Sequence, residues 1–207
     1  MILSAGASSR MGRDKALLPW PPCAPGSASP KGETLLSAAI AALRPFTEVI
    51  VVVAGTNVDN LAAVVAANGA SIVRNPAPER GQFSSMQIGL REVLARGCDA
   101  AMITLVDCPP LSEASLERLT AAFEEALGKG AWGVAPEHNG RRGHPLIVNR
   151  ELIDAFLAAP VTSNAREVKR AHAQQMELVP VSDSLLSVDM NTPEEYAALG
   201  GTGLRPR

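Results

Sequence analysis

Two uninterrupted apolar runs, Val49–Ala54 (VIVVVA) and Ala100–Val106 (AAMITLV), restrict the fold more than anything else in the sequence. A strand with one wet face alternates polar and apolar residues. A run without alternation must bury both faces, which places it inside a parallel sheet covered by helices above and below. The neighbouring segments supply those helices. Apolar residues recur at helical spacing in Thr34–Leu43, which Pro45 ends, and again in Val58–Ala67, which Gly55 and Asn57 turn in. With a short opening strand at Met1–Leu3 and another at Ser71–Val73, the chain begins strand, helix, strand, helix, strand, a pattern that requires right-handed crossovers between parallel strands. Aromatic residues make up 3% of the chain against 46% hydrophobic, so the core must be built from Ala, Val, Leu and Ile. Alanine-rich helices on a parallel sheet suit that composition.

Further along, Met86–Leu94 has helical spacing, with Ser84 or Ser85 expected at its N-cap. Ser112 opens a helix that runs to about Leu127. Trp132–Ala135 and Leu146–Val148 read as strands on either side of a polar turn, Glu137–Arg142, centred on Gly140. Glu151–Leu157 is a short helix. Asn164–Gln174 is a polar helix whose Arg166, Lys169, Arg170 and His172 form a solvated face, or else touch a phosphate of the acceptor considered below. Met176–Pro180 and Leu185–Val188 read as closing strands. A last helix begins with Thr192 as N-cap, Pro193 at its first position and Glu195 completing a capping box. Residues 1–199 are expected to form a single domain, and 200–207 a frayed tail.

Charge and composition exclude several classes. The formal net charge is −2, too low for a protein whose main partner is a nucleic-acid polymer, because such affinity rests on many phosphate-neutralising cations. No apolar run reaches the ~18 residues needed to cross a bilayer, and no signal-peptide pattern opens the chain. A cytoplasmic location without membrane contact is therefore expected. Cys23, Cys98 and Cys108 show no metal-ligand spacing and read as free thiols. The opening strand is shorter than usual. Either the start lies upstream of Met1, or neighbouring strands compensate.

The stretch that carries chemistry is MILSAGASSRMGRDK, residues 1–15. Small residues from Ser4 to Ser9 let backbone N–H groups approach a ligand, and successive N–H groups in such a turn form a concave anion site. Arg10 offers a planar fork of donors and Lys15 a point charge, which complement each other on a polyphosphate. Taken alone, a loop of this kind also fits an ordinary strand-to-helix connection. It is neither of two familiar nucleotide signatures: Ala16 follows Lys15 where the P-loop needs Ser or Thr, and only Gly6 and Gly12 occur where the dinucleotide fingerprint needs three glycines.

The stretch does resemble the signature of nucleotidyltransferases with a MobA-like fold, L-x-(A/G)-G-x-(S/G)-x-R-M-G-x-x-K. Leu3, Ala5, Gly6, Ser8, Arg10, Met11, Gly12 and Lys15 all fall on it. The resemblance implies a Rossmann-like three-layer α/β/α fold with a mostly parallel central sheet, like that of nucleotide-diphospho-sugar transferases. It also implies that Leu3, Ser4, Ala5 and Gly6 bind a nucleotide and that Arg10 and Lys15 are catalytic. A Gly-x-x-x-Ser loop in that family holds the base and ribose, which brings Gly81, Gln82, Ser84 and Ser85 to the nucleotide. Independently of the resemblance, Asp107 follows a buried strand, at the sheet edge where ligands of such folds bind, and a carboxylate there commonly holds Mg²⁺; capping the Pro109–Pro110 turn is its other possible role. The matching family pattern is Gly-Asp-x-Pro, with Val106 here in place of Gly. Asn191, before Thr192–Pro193, occupies the place of the second metal-binding residue, with Asp189 as a competing candidate.

Within the family, Ala5 and Gly143-His144-Pro145 look more like the branch that transfers CMP from CTP to the terminal phosphate of molybdopterin, with Mg²⁺ as cofactor. His144 would then line the acceptor side, although a packed or solvent-facing histidine fits that turn equally well. Guanylyl transfer from GTP, sugar-phosphate nucleotidylyl transfer and a non-catalytic cofactor-binding chaperone are the alternatives. A molybdoenzyme or its chaperone would be the partner. The proline-rich segment Ala16–Gly32 looks like an insertion, either a lid over the site or an inert excursion.

Overall fold

The computed structural model describes residues 1–8, 10–22, 32–188 and 190–201. Asp189, Cys23 and most of the proline-rich insertion, for which sequence gave expectations, lie outside the described residues, as does the expected tail beyond residue 201.

Eight strands form one mixed, mostly parallel sheet. β1 (Ile2–Ser4) is central, flanked in parallel by β2 (Val51–Ala54) and β4 (Ala101–Leu105), and β3 (Ser71–Arg74) extends the sheet beyond β2. On the other side β4 pairs with β7 (Leu146–Val148), which runs antiparallel, and β7 pairs with β5 (Gly133–His138), also antiparallel. β8 (Met176–Pro180) lies parallel along β5, and the two-residue β6 (Arg141–Arg142) folds back on the end of β5. The three residues of β1 are all buried. Ladders on both sides hold this short strand in place, with Leu3 between Val53 and Leu105.

Helices cover both faces, as the doubly buried runs require. On one face α1 (Leu35–Leu43), α2 (Val58–Ala67) and α4 (Glu113–Leu127) close a core around Ile2, Val52, Ile40 and Leu119. On the other, α3 (Gln82–Ala95), α5 (Arg150–Ala158) and α6 (Ala165–Ala171) close a second core around Leu3, Val53, Leu90 and Phe156. A third, smaller cluster joins Met11, Leu18 and Leu35 to Met190, Tyr196 and Leu199, so that α7 (Pro193–Gly201) packs against the segment that follows the first loop. The Tyr196 hydroxyl donates to Pro19 O there. The insertion leaves and returns at adjacent points, because Trp20 N donates to Glu33 O and Leu35 N to Leu18 O, at 2.9 and 2.8 Å.

Two expectations need correction. Leu185–Val188 is not a strand: Ser184–Ser187 forms a 3₁₀ turn. Asp183 precedes it and accepts from Leu185 N at 3.1 Å through one carboxylate oxygen, while the other accepts from Ser112 N and Ser115 Oγ at the start of α4. A short side chain that satisfies the turn in this way competes with a ladder. Likewise, α3 does not begin at Ser84 or Ser85. It starts at Gln82 with Gly81 before it at φ 92°, a backbone conformation open to glycine and strained for any other residue. The two serines lie inside the first turn.

Candidate active site

Parallel strands deliver their carboxyl ends to one edge of the sheet, and a cleft of about 300 Å³ opens there between the ends of β1 and β4. It unites residues widely separated in sequence. The first loop contributes Leu3, Ser4, Ala5, Gly6, Arg10 and Lys15; the approach to α3 contributes Gly81, Gln82 and Ser85; Asp107 follows β4 and Asn191 precedes α7. Every described residue expected at the site is thus a cleft wall, apart from Ser84 and His144.

At the centre, Lys15 Nζ bridges two of them, 3.0 Å from Asp107 Oδ2 and 3.0 Å from Asn191 Oδ1. The Lys15 side chain is 12% exposed and that of Asp107 29%. Each partner is held in place. Met190 N donates to Asp107 O at 3.2 Å, tying the residue before Asn191 to the end of β4. Glu195 Oε2 accepts from Asn191 N and Thr192 N at 2.7 and 3.0 Å, and Thr192 Oγ1 accepts from Glu195 N, which is the expected capping box.

The loop itself is shaped by polar side chains that sequence reasoning passed over. Asp14 Oδ1 accepts from Ala16 N, and its Oδ2 accepts from Asn57 Nδ2 at 2.6 Å. The same Asn57 amide donates to Ser4 O, and its oxygen accepts from Gly55 N. One asparagine after β2 therefore fastens the end of β1 and the far side of the loop. Its only sequence signal was a turn residue after Gly55. Ser8 has a left-handed backbone, φ 48°, and its hydroxyl accepts from Lys15 N at 3.2 Å. A small polar residue or glycine suits such a position. Gly55 has a packing reason as well: a Cβ there would stand 2.7 Å from Ala5 O, so β2 can approach the loop only without a side chain.

On the opposite wall, buried Asn75 positions the start of α3. Its Nδ2 donates to Ser84 Oγ and Ser85 Oγ, each at 2.9 Å, and its Oδ1 accepts from Ala77 N. Ser84 Oγ donates in turn to Gly81 O at 2.7 Å, so Ser84 shapes the wall from behind while Ser85 lines it. Among the described residues, buried Ser4 Oγ has no hydrogen-bond partner, which costs about 1–3 kcal/mol unless a ligand or water supplies one.

His144 is not brought to the cleft. β7 reverses direction, so the turn before it lies beside β4, and the His144 ring lies 3.2 Å from Ile103 O through Nδ1. Its surroundings include Pro109, Pro110 and Leu116. Cys98 is a free thiol, as expected.

A divalent cation fits Asp107 and Asn191 on the evidence of the bridge itself, since an ammonium ion already sits between their oxygens. Two oxygen donors leave room in an octahedral shell for phosphate oxygens and water, which is how Mg²⁺ is commonly held. Among the described residues no cluster of three or more His, Cys, Asp or Glu offers an alternative. Nor does any described helix have the length and apolarity to cross a membrane.

A mostly parallel sheet with a glycine-containing loop after its central strand, two cations lining the cleft there and a strand-end carboxylate paired with one of them is an arrangement in which α/β folds commonly bind phosphates at the carboxyl edge. The chain belongs to the MobA-like NTP transferase domain family, which residues 1–176 match. It is 24% identical to the molybdenum cofactor cytidylyltransferase of Escherichia coli (strain K12) over 95% of this chain and 92% of that one. It is 29% identical to the molybdenum cofactor guanylyltransferase of Xanthomonas euvesicatoria pv. vesicatoria (strain 85-10), over 96% and 92% of the two chains. Among solved structures, Rv0371c from Mycobacterium tuberculosis H37Rv superposes with a TM-score of 0.75 over 97% of this chain and 96% of that one at 20% identity, a likeness of fold. The same mycobacterial protein has also been solved in complex with manganese.

Proposed function

We propose that this chain transfers a nucleotidyl group, CMP from CTP, to the terminal phosphate of a molybdopterin-type acceptor and releases pyrophosphate. The observation that carries the reading is the meeting of Lys15, Asp107 and Asn191 at one point of a cleft that Arg10 also lines. An oxygen of the acceptor phosphate attacks the α-phosphorus; the new P–O bond forms as the bond to the β-phosphate bridging oxygen breaks, and pyrophosphate leaves with that electron pair. The nucleophile is already anionic, so no general base is needed. Catalysis reduces to placing the reactants and neutralising charge.

Each residue has a part in that. The small-residue loop and the start of α3 hold the nucleotide between them. Arg10 and Lys15 take up charge on the departing pyrophosphate, Lys15 by leaving Asp107 for the phosphates. Asp107 and Asn191 would hold Mg²⁺, which when bound supplies further positive charge to the phosphate oxygens. Cytidylyl rather than guanylyl transfer is favoured by Ala5 in the first loop and by Gly143-His144-Pro145. The similarity to relatives of both kinds makes the donor the first thing to measure.

The test is a thermal-shift titration with CTP, GTP, UTP and ATP, each with and without Mg²⁺, followed by pyrophosphate release in the presence of molybdopterin. A nucleotide at ~100 times its dissociation constant adds ~2.7 kcal/mol of stability, easily seen. Magnesium-dependent stabilisation by CTP with molybdopterin-dependent pyrophosphate release is the expected result. Preference for GTP would move the donor to the guanylyl branch, and no response to any nucleotide would overturn the reading.

A further inference from the structure

One wall of the cleft is neutral. Its residues Pro78, Gly81, Gln82 and Ser85 come from the approach to α3 and its first turn, while the charged groups of the cleft, Arg10, Asp14, Lys15 and Asp107, sit on the first loop and just after β4. Behind the neutral wall lies Asn75, 1% exposed, at the carboxyl end of β3, where its N–H continues the ladder by donating to Ala54 O at 2.7 Å. A buried amide must spend its donors and its acceptor, and the way this one does so decides what the wall can offer a ligand.

Ala77 N donates to Asn75 Oδ1 at 2.9 Å. A backbone N–H can only donate, so the amide oxygen faces it and the amide nitrogen faces α3. Asn75 Nδ2 then gives its hydrogens to Ser84 Oγ and Ser85 Oγ, each 2.9 Å away. Each hydroxyl, having accepted, still has its own proton to give. Ser84 donates to Gly81 O at 2.7 Å. That carbonyl also accepts from Ser84 N, so it is already taken one turn behind Ser85. Among the described residues nothing accepts the Ser85 proton. Ser85 is 3% exposed and lines the cleft, so its unspent donor is buried on the ligand's side of the wall, a cost that an acceptor on the ligand removes.

We propose that Asn75 is a positioning residue that sets the polarity of the base subsite: by donating to Ser85 it turns the Ser85 proton into the cleft, and the subsite takes a ring edge that presents hydrogen-bond acceptors. The assignment of that edge to a base rests on the nucleotidyl-transfer reading, in which the charged groups of the cleft serve the phosphates and leave the neutral wall to the base. Cytosine fits, since its O2 and N3 are adjacent acceptors. The atoms that pair with them in guanine are N–H donors, which the Ser85 proton repels. Selectivity therefore lies partly in a residue that does not touch the ligand.

The experiment is a double-mutant cycle of Asn75→Asp and Ser85→Ala, with urea unfolding to check the fold of each variant. Calorimetry in the presence of Mg²⁺ measures the ratio of the GTP and CTP dissociation constants, in which any effect of an added charge on phosphate binding cancels. Aspartate keeps the shape of asparagine and still accepts from Ala77 N, but it draws the protons of both serines and leaves Ser85 with lone pairs toward the cleft. Ser85→Ala should weaken CTP about tenfold, the scale of one buried hydrogen bond, and reduce the preference for CTP by the same factor. Asn75→Asp should reduce it at least as far. In the Ser85→Ala background Asn75→Asp should change the ratio no further, because no hydroxyl is left to turn; a merely structural asparagine would act alike in both backgrounds. Unchanged CTP binding by Ser85→Ala, effects that add in the double variant, or a wild type that prefers GTP would overturn the proposal. Should Asn75→Asp not fold, Asn75→Ala replaces it in the cycle, and the same non-additivity is required. A wild type that binds CTP with an additive cycle sinks the proposal alone, whereas a wild type that binds no nucleotide sinks the transfer reading and the proposal with it.

Discussion

Replacing Lys15 with methionine should make the nucleotide-free protein bind divalent metal more tightly while abolishing transfer. The ammonium occupies the position a cation would take, 3.0 Å from both Asp107 Oδ2 and Asn191 Oδ1. Any metal must first displace it. Two unit charges at that separation attract by roughly 5 kcal/mol at an effective dielectric constant near 20, and desolvation offsets most of this, leaving a net pair energy of about 1–2 kcal/mol for a partly buried bridge. Methionine has similar length and no charge, so that competition disappears. The affinity for Mn²⁺ without nucleotide should rise by about tenfold, since ~1.4 kcal/mol corresponds to a factor of ten. Electron paramagnetic resonance of free Mn²⁺ during a titration measures this directly. Pyrophosphate release by the same variant should fall below detection, because on the nucleotidyl-transfer reading Lys15 is also the charge that meets the phosphates. A variant with unchanged or weaker Mn²⁺ binding would show that Asp107 and Asn191 are not where metal goes, and the argument from the bridging ammonium would collapse.

One further outcome follows from packing. Gly55→Ala forces a methyl group to 2.7 Å from Ala5 O, so the loop must shift or the strand must bend. Urea unfolding should show a loss of about 1–3 kcal/mol, and on the nucleotidyl-transfer reading weaker stabilisation by nucleotide should accompany it.

The strands were legible because burial on both faces leaves its mark as unbroken apolar runs, and the helices because their spacing and caps are local. Ser112 opens α4 where sequence put it, its side chain accepting from Ser115 N. Strand direction leaves no such mark: nothing in Leu146–Val148 announces that β7 runs against its neighbours, and that reversal is what carries His144 away from the cleft. Ser84 and Ser85 look like caps, yet the helix starts earlier because Gly81 can adopt a positive φ. In the site, Arg10 and Lys15 were readable as cations on a small-residue loop. The bridge from Lys15 to Asp107 and Asn191 spans 92 and 176 positions; Asp107 was readable as a strand-end carboxylate at the ligand edge, but only the resemblance to a family brought Asn191 to it. Asn57 and Asp14 went unread because a hydrogen bond between two loops has no periodicity to betray it.

The joining of α7 to the first loop has a consequence for synthesis. Ribosomes release a chain from its amino end, and domains gather structure in that order. The first loop is made before the strands that flank it, but Asn191 and the Tyr196 contact to Pro19 follow only after β8. A nascent or proteolytically shortened molecule can therefore have most of its sheet and still lack the wall opposite Lys15. On the nucleotidyl-transfer reading, nucleotide binding then doubles as a gauge of how much of a preparation carries α7 docked on the first loop.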